Sequence, residues 1–242
     1  MTTLTKIIVT TLLSLMLCSC NFDFNLNTGV AGNGNVTKEN RGVTNTFNAI
    51  KASEGLDVYL NQSHNENIIV EADNNLHELI ITEVVNGVLK IHTSKNIGRA
   101  TSKKVIVNFK NISKISSSSG SDVYANKVIN ANHLELSTSS GSDMELEVNA
   151  SVINCKSSSG SDLRLSGQTE KLIAQASSGS DINAGNLKAQ SSQVKASSGA
   201  DIVVNTSKEL VAQASSGGDI KYYGNPIKVD KNNSSSGSVK KK

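Results

Sequence analysis

A block reading Ser-Ser-Gly-Ser-Asp followed by an apolar residue recurs down the second half of this chain. Its glycines are Gly120, Gly141, Gly160, Gly179, Gly199 and Gly217, with an aspartate-less echo at Gly237, at spacings of 21, 19, 19, 20, 18 and 20 residues. A period near twenty is the mark of a solenoid, in which each repeat buries its apolar side chains only by stacking on its neighbours. The chain is constrained in architecture far more than in chemistry.

Aligned on the glycine, the coils show apolar columns at odd offsets. Five residues before it stand Ile115, Leu136, Cys155, Ala174, Val194 and Ala212; three after it stand Val123, Met144, Leu163, Ile182, Ile202 and Ile220. Even offsets are mostly polar, as in Lys156, Gln175, Lys195 and Gln213 before the glycine and Glu145, Arg164, Asn183 and Lys221 after it. Alternation with period two predicts strands with one buried face. Stacking such strands about 4.8 Å apart gives an all-β fold, a parallel β-helix of about 19–20 residues per coil, with right-handed crossovers as the default. The same parity sends Ser119, Ser140, Ser159, Ser178, Ser198 and Ser216 inward, together with Ser121, Ser142, Ser161, Ser180, Ala200 and Gly218. Buried hydroxyls need partners, so a rung-to-rung hydroxyl ladder is expected at this corner. Cys155 reads as a small buried hydrophobe.

Residues 43–115 show the repeat poorly and read as an irregular β cap on the regular coils of 116–231. Expected strands there are Leu56–Gln62, Ile68–Ala72, Ile80–Val85, Val88–Thr93 and Lys104–Phe109, with Asn86-Gly87 as a two-residue hairpin turn. Asp73 before Leu76 and Leu79 reads as the cap of a short helical turn. A degenerate repeat, Ser53-Glu54-Gly55-Leu56-Asp57-Val58, places this half in the same stack. Residues 20–42, rich in Asn and Gly, read as a flexible tether, and 232–242 as a frayed polar tail.

The first nineteen residues read as an export signal: Lys6, then an apolar run from Ile7 to Leu17 too short to span a bilayer. The run closes on Leu17-Cys18-Ser19-Cys20, similar to a bacterial lipobox, which implies lipidation of Cys20 and stable anchoring by several acyl chains. An ordinary secretory signal cut nearby is the alternative. The formal charge of +3 falls to +2 when Lys6 leaves, and aromatics make up only 3% of the chain. That composition argues against a nucleic-acid groove and against an aromatic sugar-binding cleft.

The column Asp122, Asp143, Asp162, Asp181, Asp201 and Asp219 is the sharpest candidate for chemistry. A Gly-Ser-Asp turn on every coil is similar to calcium-binding nonapeptide repeats, and stacked carboxylates could share hard cations. The competing reading is a column of turn aspartates on a wet edge. His64, His77, His92 and His133 are scattered without metal-ligand spacing, and no nucleophile elbow or phosphate loop is present, so no catalytic residue is assigned.

From about Phe47 to Ser236 the chain resembles the family of putative auto-transporter adhesins, head GIN domain. The resemblance rests on Gly55-Leu56-Asp57-Val58-Tyr59-Leu60, Ile69-Val70-Glu71-Ala72-Asp73 and Asn86-Gly87-Val88-Leu89-Lys90-Ile91, followed by the Gly-Ser-Asp coils. It implies a β-helical fold and an adhesive role on a Bacteroidetes-type envelope, and carries no catalytic residues. The leading functional expectation is a non-enzymatic outer-membrane lipoprotein, held to the membrane by its lipid, that presents a rigid surface to a protein or glycan ligand. A periplasm-facing assembly partner of another envelope protein and a polysaccharide-acting enzyme are the alternatives. Constant repeat spacing leaves little room for the long loops that build β-helix active sites, which disfavours the last.

Overall fold

The computed structural model describes residues 29–242 apart from 44 and 235. The expected signal peptide and Cys20 lie outside the described residues. Seventeen strands are described: β1 (Val36–Arg41), β2 (Ala49–Ala52), β3 (Asp57–Gln62), β4 (Asn67–Asp73), β5 (Ile80–Val85), β6 (Val88–Thr93), β7 (Lys103–Phe109), β8 (Lys114–Ser118), β9 (Asp122–Ala125), β10 (Ile129–Ser139), β11 (Asp143–Ser158), β12 (Asp162–Ser177), β13 (Asp181–Ala196), β14 (Asp201–Ala214), β15 (Asp219–Tyr223), β16 (Lys228–Asn233) and β17 (Ser238–Lys241). They form a β-solenoid of about seven turns, as the repeat predicts.

Two ladders run along its length. One follows β5, β6, β2, β8, β10 and on through β11–β14 to β16; the other follows β1, β4, β7, β3, β9 and on through β11–β14 to β15 and β17. The rungs pair in parallel, and the antiparallel pairs β1–β4, β4–β7 and β5–β6 gather at the N-terminal end. Strand order there departs from chain order. The β2/β3 rung lies between β6/β7, which comes later in the chain, and β8/β9, later still. The chain thus steps outward to build its own cap, then passes back over its first rung. All five strands expected in this half form, and Asn86 (φ 52°) with Gly87 (φ 75°) makes the β5–β6 hairpin turn.

The two apolar columns named above are at most 2% exposed. Each such aliphatic side chain contributes roughly 1.5–3 kcal/mol on burial. Cys155 lies among them, and desolvation pushes its thiol pKa up to about 12, in keeping with a packing role.

The Ser-Gly corner differs from the sequence expectation in one respect. Ser119, Ser140, Ser159, Ser178, Ser198 and Ser216 are exposed, with φ between 51° and 58°, and each following glycine is also left-handed. Two consecutive left-handed residues make a type I′ turn, closed for instance by Ser121 N–H donating to the Ser118 carbonyl at 3.3 Å. These serines occupy the turn tips, where the backbone geometry overrides side-chain alternation. The turns also bond to one another: Gly120 N–H donates to the Ser140 carbonyl, Gly141 to Ser159, Gly160 to Ser178, Gly179 to Ser198 and Gly199 to Ser216.

Behind the tips the expected hydroxyl ladder forms. Ser117, Ser121, Thr138, Ser142, Ser157 and Ser161 are buried. Thr138 Oγ1 donates to Ser157 Oγ at 2.9 Å, Ser157 Oγ donates to the Ser161 carbonyl at 2.9 Å, and Ser142 Oγ reaches across a rung to the Ser117 carbonyl at 3.0 Å. Later rungs replace most of these hydroxyls by Ala176, Ala196, Ala200 and Ala214, all buried.

Both ends extend further than expected. The stretch read as tether pairs from Val36 onward as β1, held by Arg41 donating to the carbonyls of Ile80 and His77. Asp73 caps no helical turn with its side chain. Its fully buried carboxylate accepts instead from the amides of Gly34 (2.9 Å), Thr101 (3.3 Å) and Ser102 (3.1 Å), and the Gly34 bond above all holds its pKa below the ordinary carboxylate value. At the other end, the residues 232–242 expected to fray contribute the last two residues of β16 and all of β17. Ser238 pairs with Asp219, which sets Gly237 level with Gly218 and not with Gly217, so the last echo of the repeat is one residue out of phase.

Candidate interaction surface

The Ser-Gly corner divides two outward faces. On one side the predicted aspartates stand in register, Asp122 beside Asp143, then Asp162, Asp181, Asp201 and Asp219. The column is longer than the repeat indicates. Asp57 pairs with Asp122 through β3 and β9, and Lys104 of β7 pairs with Asp57 beyond it. At the far end Ser238 Oγ donates to Asp219 Oδ1 at 2.5 Å. Burial raises the pKa of Asp122, and the charges of Asp143 and Asp57 add to it; burial, then Asp162 and Asp201, do the same for Asp181. Burial also raises Asp57, with Lys103 and Lys104 opposing. These carboxylates stack singly, one per rung. Among the described residues, no three His, Cys, Asp or Glu side chains converge as a metal site.

Next to the aspartates, Tyr59 and Tyr124 stack with ring centroids 5.3 Å apart, and Lys104 Nζ lies 5.9 Å from the Tyr59 centroid. Of the histidines, His77 sits under β1, with Thr37 Oγ1 3.0 Å from Nε2 and Glu39 Oε2 3.2 Å from Nδ1. It joins the N-terminal strand to the cap. His92 and His133 lie on the surface near Glu83 and Glu135, apart from one another.

A concavity lies at the opposite corner of the coil, where sequence reasoning placed nothing. A groove of about 610 Å³ is lined by Asn149, Gln168, Lys188 and Asn205 on one wall and Ser151, Glu170, Gln190 and Ser207 on the other. Ala150, Thr169 and Ala189 turn inward between the walls and are buried, which leaves the backbone as floor. The first wall is one register column, Asn130–Asn149–Gln168–Lys188–Asn205. Its amides bond along the axis: Asn149 Nδ2 donates to Asn130 Oδ1 and Gln168 Nε2 to Asn149 Oδ1, both at 3.3 Å. Gln62 extends the column, accepting from Asn130 N–H at 2.8 Å. A sequence signal existed, because Asn149 and Gln168 stand at the same offset from Gly141 and Gly160. It fades where the corner changes length and the register shifts between Ala184 and Lys188.

Residues 46–226 match the family described as Putative auto-transporter adhesin, head GIN domain. The chain belongs to this family. The head GIN domain fold recurs in a crystal structure of a putative adhesin from Bacteroides fragilis, with a TM-score of 0.82 at 20% identity over 88% of this chain and 100% of that one. A putative lipid binding protein from Parabacteroides distasonis has a TM-score of 0.72 at 21% identity over 88% and 99% of the two chains. A putative adhesin from Parabacteroides merdae has a TM-score of 0.71 at 19% identity over 88% and 98%. No functionally curated protein matches the head GIN chain. At these identities the likeness is one of fold.

Proposed function

We propose that this head GIN protein is a non-enzymatic cell-envelope lipoprotein whose rigid solenoid serves as an adhesive or interaction surface. The supporting observation is membership of an adhesin-described family, joined to a coil that carries outward side chains at fixed pitch. Repeated groups about 4.8 Å apart suit weak contacts that act together. Turns at the Ser-Gly corner are as short as a turn can be, and protruding loops are where solenoid scaffolds assemble catalytic groups. Anchoring would run through Cys20, with β1 following shortly after it in the chain.

External protease applied to intact and lysed cells tests the reading. Loss of the protein from intact cells supports outward display, and purified protein should then bind cells, matrix or glycans. Loss only on lysis overturns the adhesive role and favours a periplasmic assembly partner. Replacing Cys20 by Ser and following an incorporated fatty-acid label tests the anchor, since release of the variant into the soluble fraction is the expected result.

A further inference from the structure

The amide-lined groove has a chemistry of its own. Five rungs, from Asn130 to Asn205, present one polar side chain each along roughly 19 Å of axis. A second shallow concavity, lined by Asn111, Asn130, Asn132, Asn149 and Ser151, continues it toward the N-terminal cap. The result is a trough running across the rungs.

Its walls exclude several occupants. Protein partners are held mainly by aromatic, arginine and large apolar anchors seated in pockets, and no aromatic, arginine or large aliphatic side chain lines this trough. Nucleic acid demands a net cationic track, whereas the lining carries one lysine, Lys188, against one acid, Glu170. A lipid tail needs an apolar wall. What remains is a neutral chain dense in hydroxyl or acetamido groups. An Asn or Gln amide offers two donors and an acceptor, and a serine hydroxyl offers both roles, so each rung can give and take a hydrogen bond with such a chain. The walls are also held in place beforehand. The amide column is bonded along the axis, Thr169 Oγ1 lies 3.2 Å from the Ser151 carbonyl, and Lys208 Nζ donates to Gln190 Oε1 at 2.7 Å. Preordered side chains lose less freedom on binding.

We propose that the trough is a binding site for a neutral linear glycan lying along the solenoid axis. This deepens the adhesive reading and rests on it. The full-length protein in detergent is passed over immobilised linear oligomers of glucose, mannose, galactose and N-acetylglucosamine. Two variants accompany it, Asn149→Ala with Gln168→Ala to remove wall amides, and Ser151→Trp to fill the trough. These positions lie on the surface, and thermal melts check that the fold is kept. Retention of the wild type on at least one oligomer, weakened about ten-fold or more in both variants, supports the site. No retention on any of the four, or retention unchanged in both variants, overturns it. The same proteins are applied to whole cells and extracellular matrix. Unchanged cell binding by both variants removes the trough and leaves the adhesive surface standing elsewhere, whereas absence of wild-type binding to cells, matrix and oligomers removes both readings.

Discussion

Asp57 stands in register beside Asp122, although the whole excursion from β4 to β8 separates them in the chain. Their carboxylates therefore join one column, and burial and mutual repulsion raise the pKa of Asp122. A carboxylate whose folded pKa lies above its unfolded value favours folding below the unfolded value, near 3.8–3.9, and loses that contribution as pH rises through the folded value. The column should thus destabilise the protein slightly at neutral pH. Asp122→Asn and Asp181→Asn are expected to raise stability at pH 7 by no more than about 1 kcal/mol each, because the groups keep much of their solvent. At pH 3 the gain should vanish. Urea titrations at the two pH values measure it.

Calcium tests the same column in another way. Binding with a Kd one hundredth of the added concentration would stabilise the protein by about 2.7 kcal/mol. With the carboxylates in single file, melts with millimolar calcium and with chelator are expected to coincide. A calcium-dependent rise in Tm that Asp143→Asn abolishes would establish the column as a metal site.

Two glycines separate strain from collision. A Cβ on Gly160 would meet nothing within 4 Å, so Gly160→Ala carries only the cost of a left-handed backbone at φ 66°, about 1–2 kcal/mol. A Cβ on Gly167 would lie 2.1 Å from the Val148 carbonyl oxygen at φ 108°, and Gly167→Ala is expected to cost several times more. Ser159→Asn, at a turn tip that already takes the left-handed form, should stabilise by a few tenths to about 1 kcal/mol. Chemical denaturation ranks all three.

The buried hydroxyls behave as a unit. Ser157→Ala leaves the Ser161 carbonyl and the Thr138 hydroxyl short of a partner and should cost about 1–3 kcal/mol. Replacing Thr138, Ser157 and Ser161 together by alanine, the pattern of the later rungs, is expected to cost less than the summed single changes. A mutant cycle on unfolding free energies reads the difference.

The last rung guards an open edge. Every residue of β16 is exposed, Lys231 Nζ lies 5.0 Å from the Tyr222 ring centroid, and Lys241 Nζ donates to Asn225 Oδ1. Lysine on a free edge discourages pairing with another chain. Truncation after Tyr223 uncovers β15 and the end of β14, and light scattering should show concentration-dependent association that the full chain lacks.

The regular coils were legible because burial and period reinforce each other: Val123, Met144, Leu163 and Ile182 recur at one offset and all lie in the core. Ser119 and its equivalents were misjudged because alternation ceases to report direction when φ changes sign. The trough was missed for a different reason. Its amides recur at one offset only in Asn149 and Gln168, and beyond them the variable corner changes length, so alignment on the glycine loses phase. The β1 strand was hidden because all but its last residue are exposed, so its sequence resembles linker while the β4 edge supplies the order.

The position of β2 and β3 between later strands sets a direction on assembly. A chain delivered N-terminus first has its earliest rung in hand but neither neighbour, because β6 and β7 must arrive on one side and β8 and β9 on the other. The first rung is flanked on both sides only once residue 125 has emerged, and from there each further coil adds to a finished template. The early chain must therefore hold its first rung half-paired while the excursion is made, whereas the late chain closes one rung at a time.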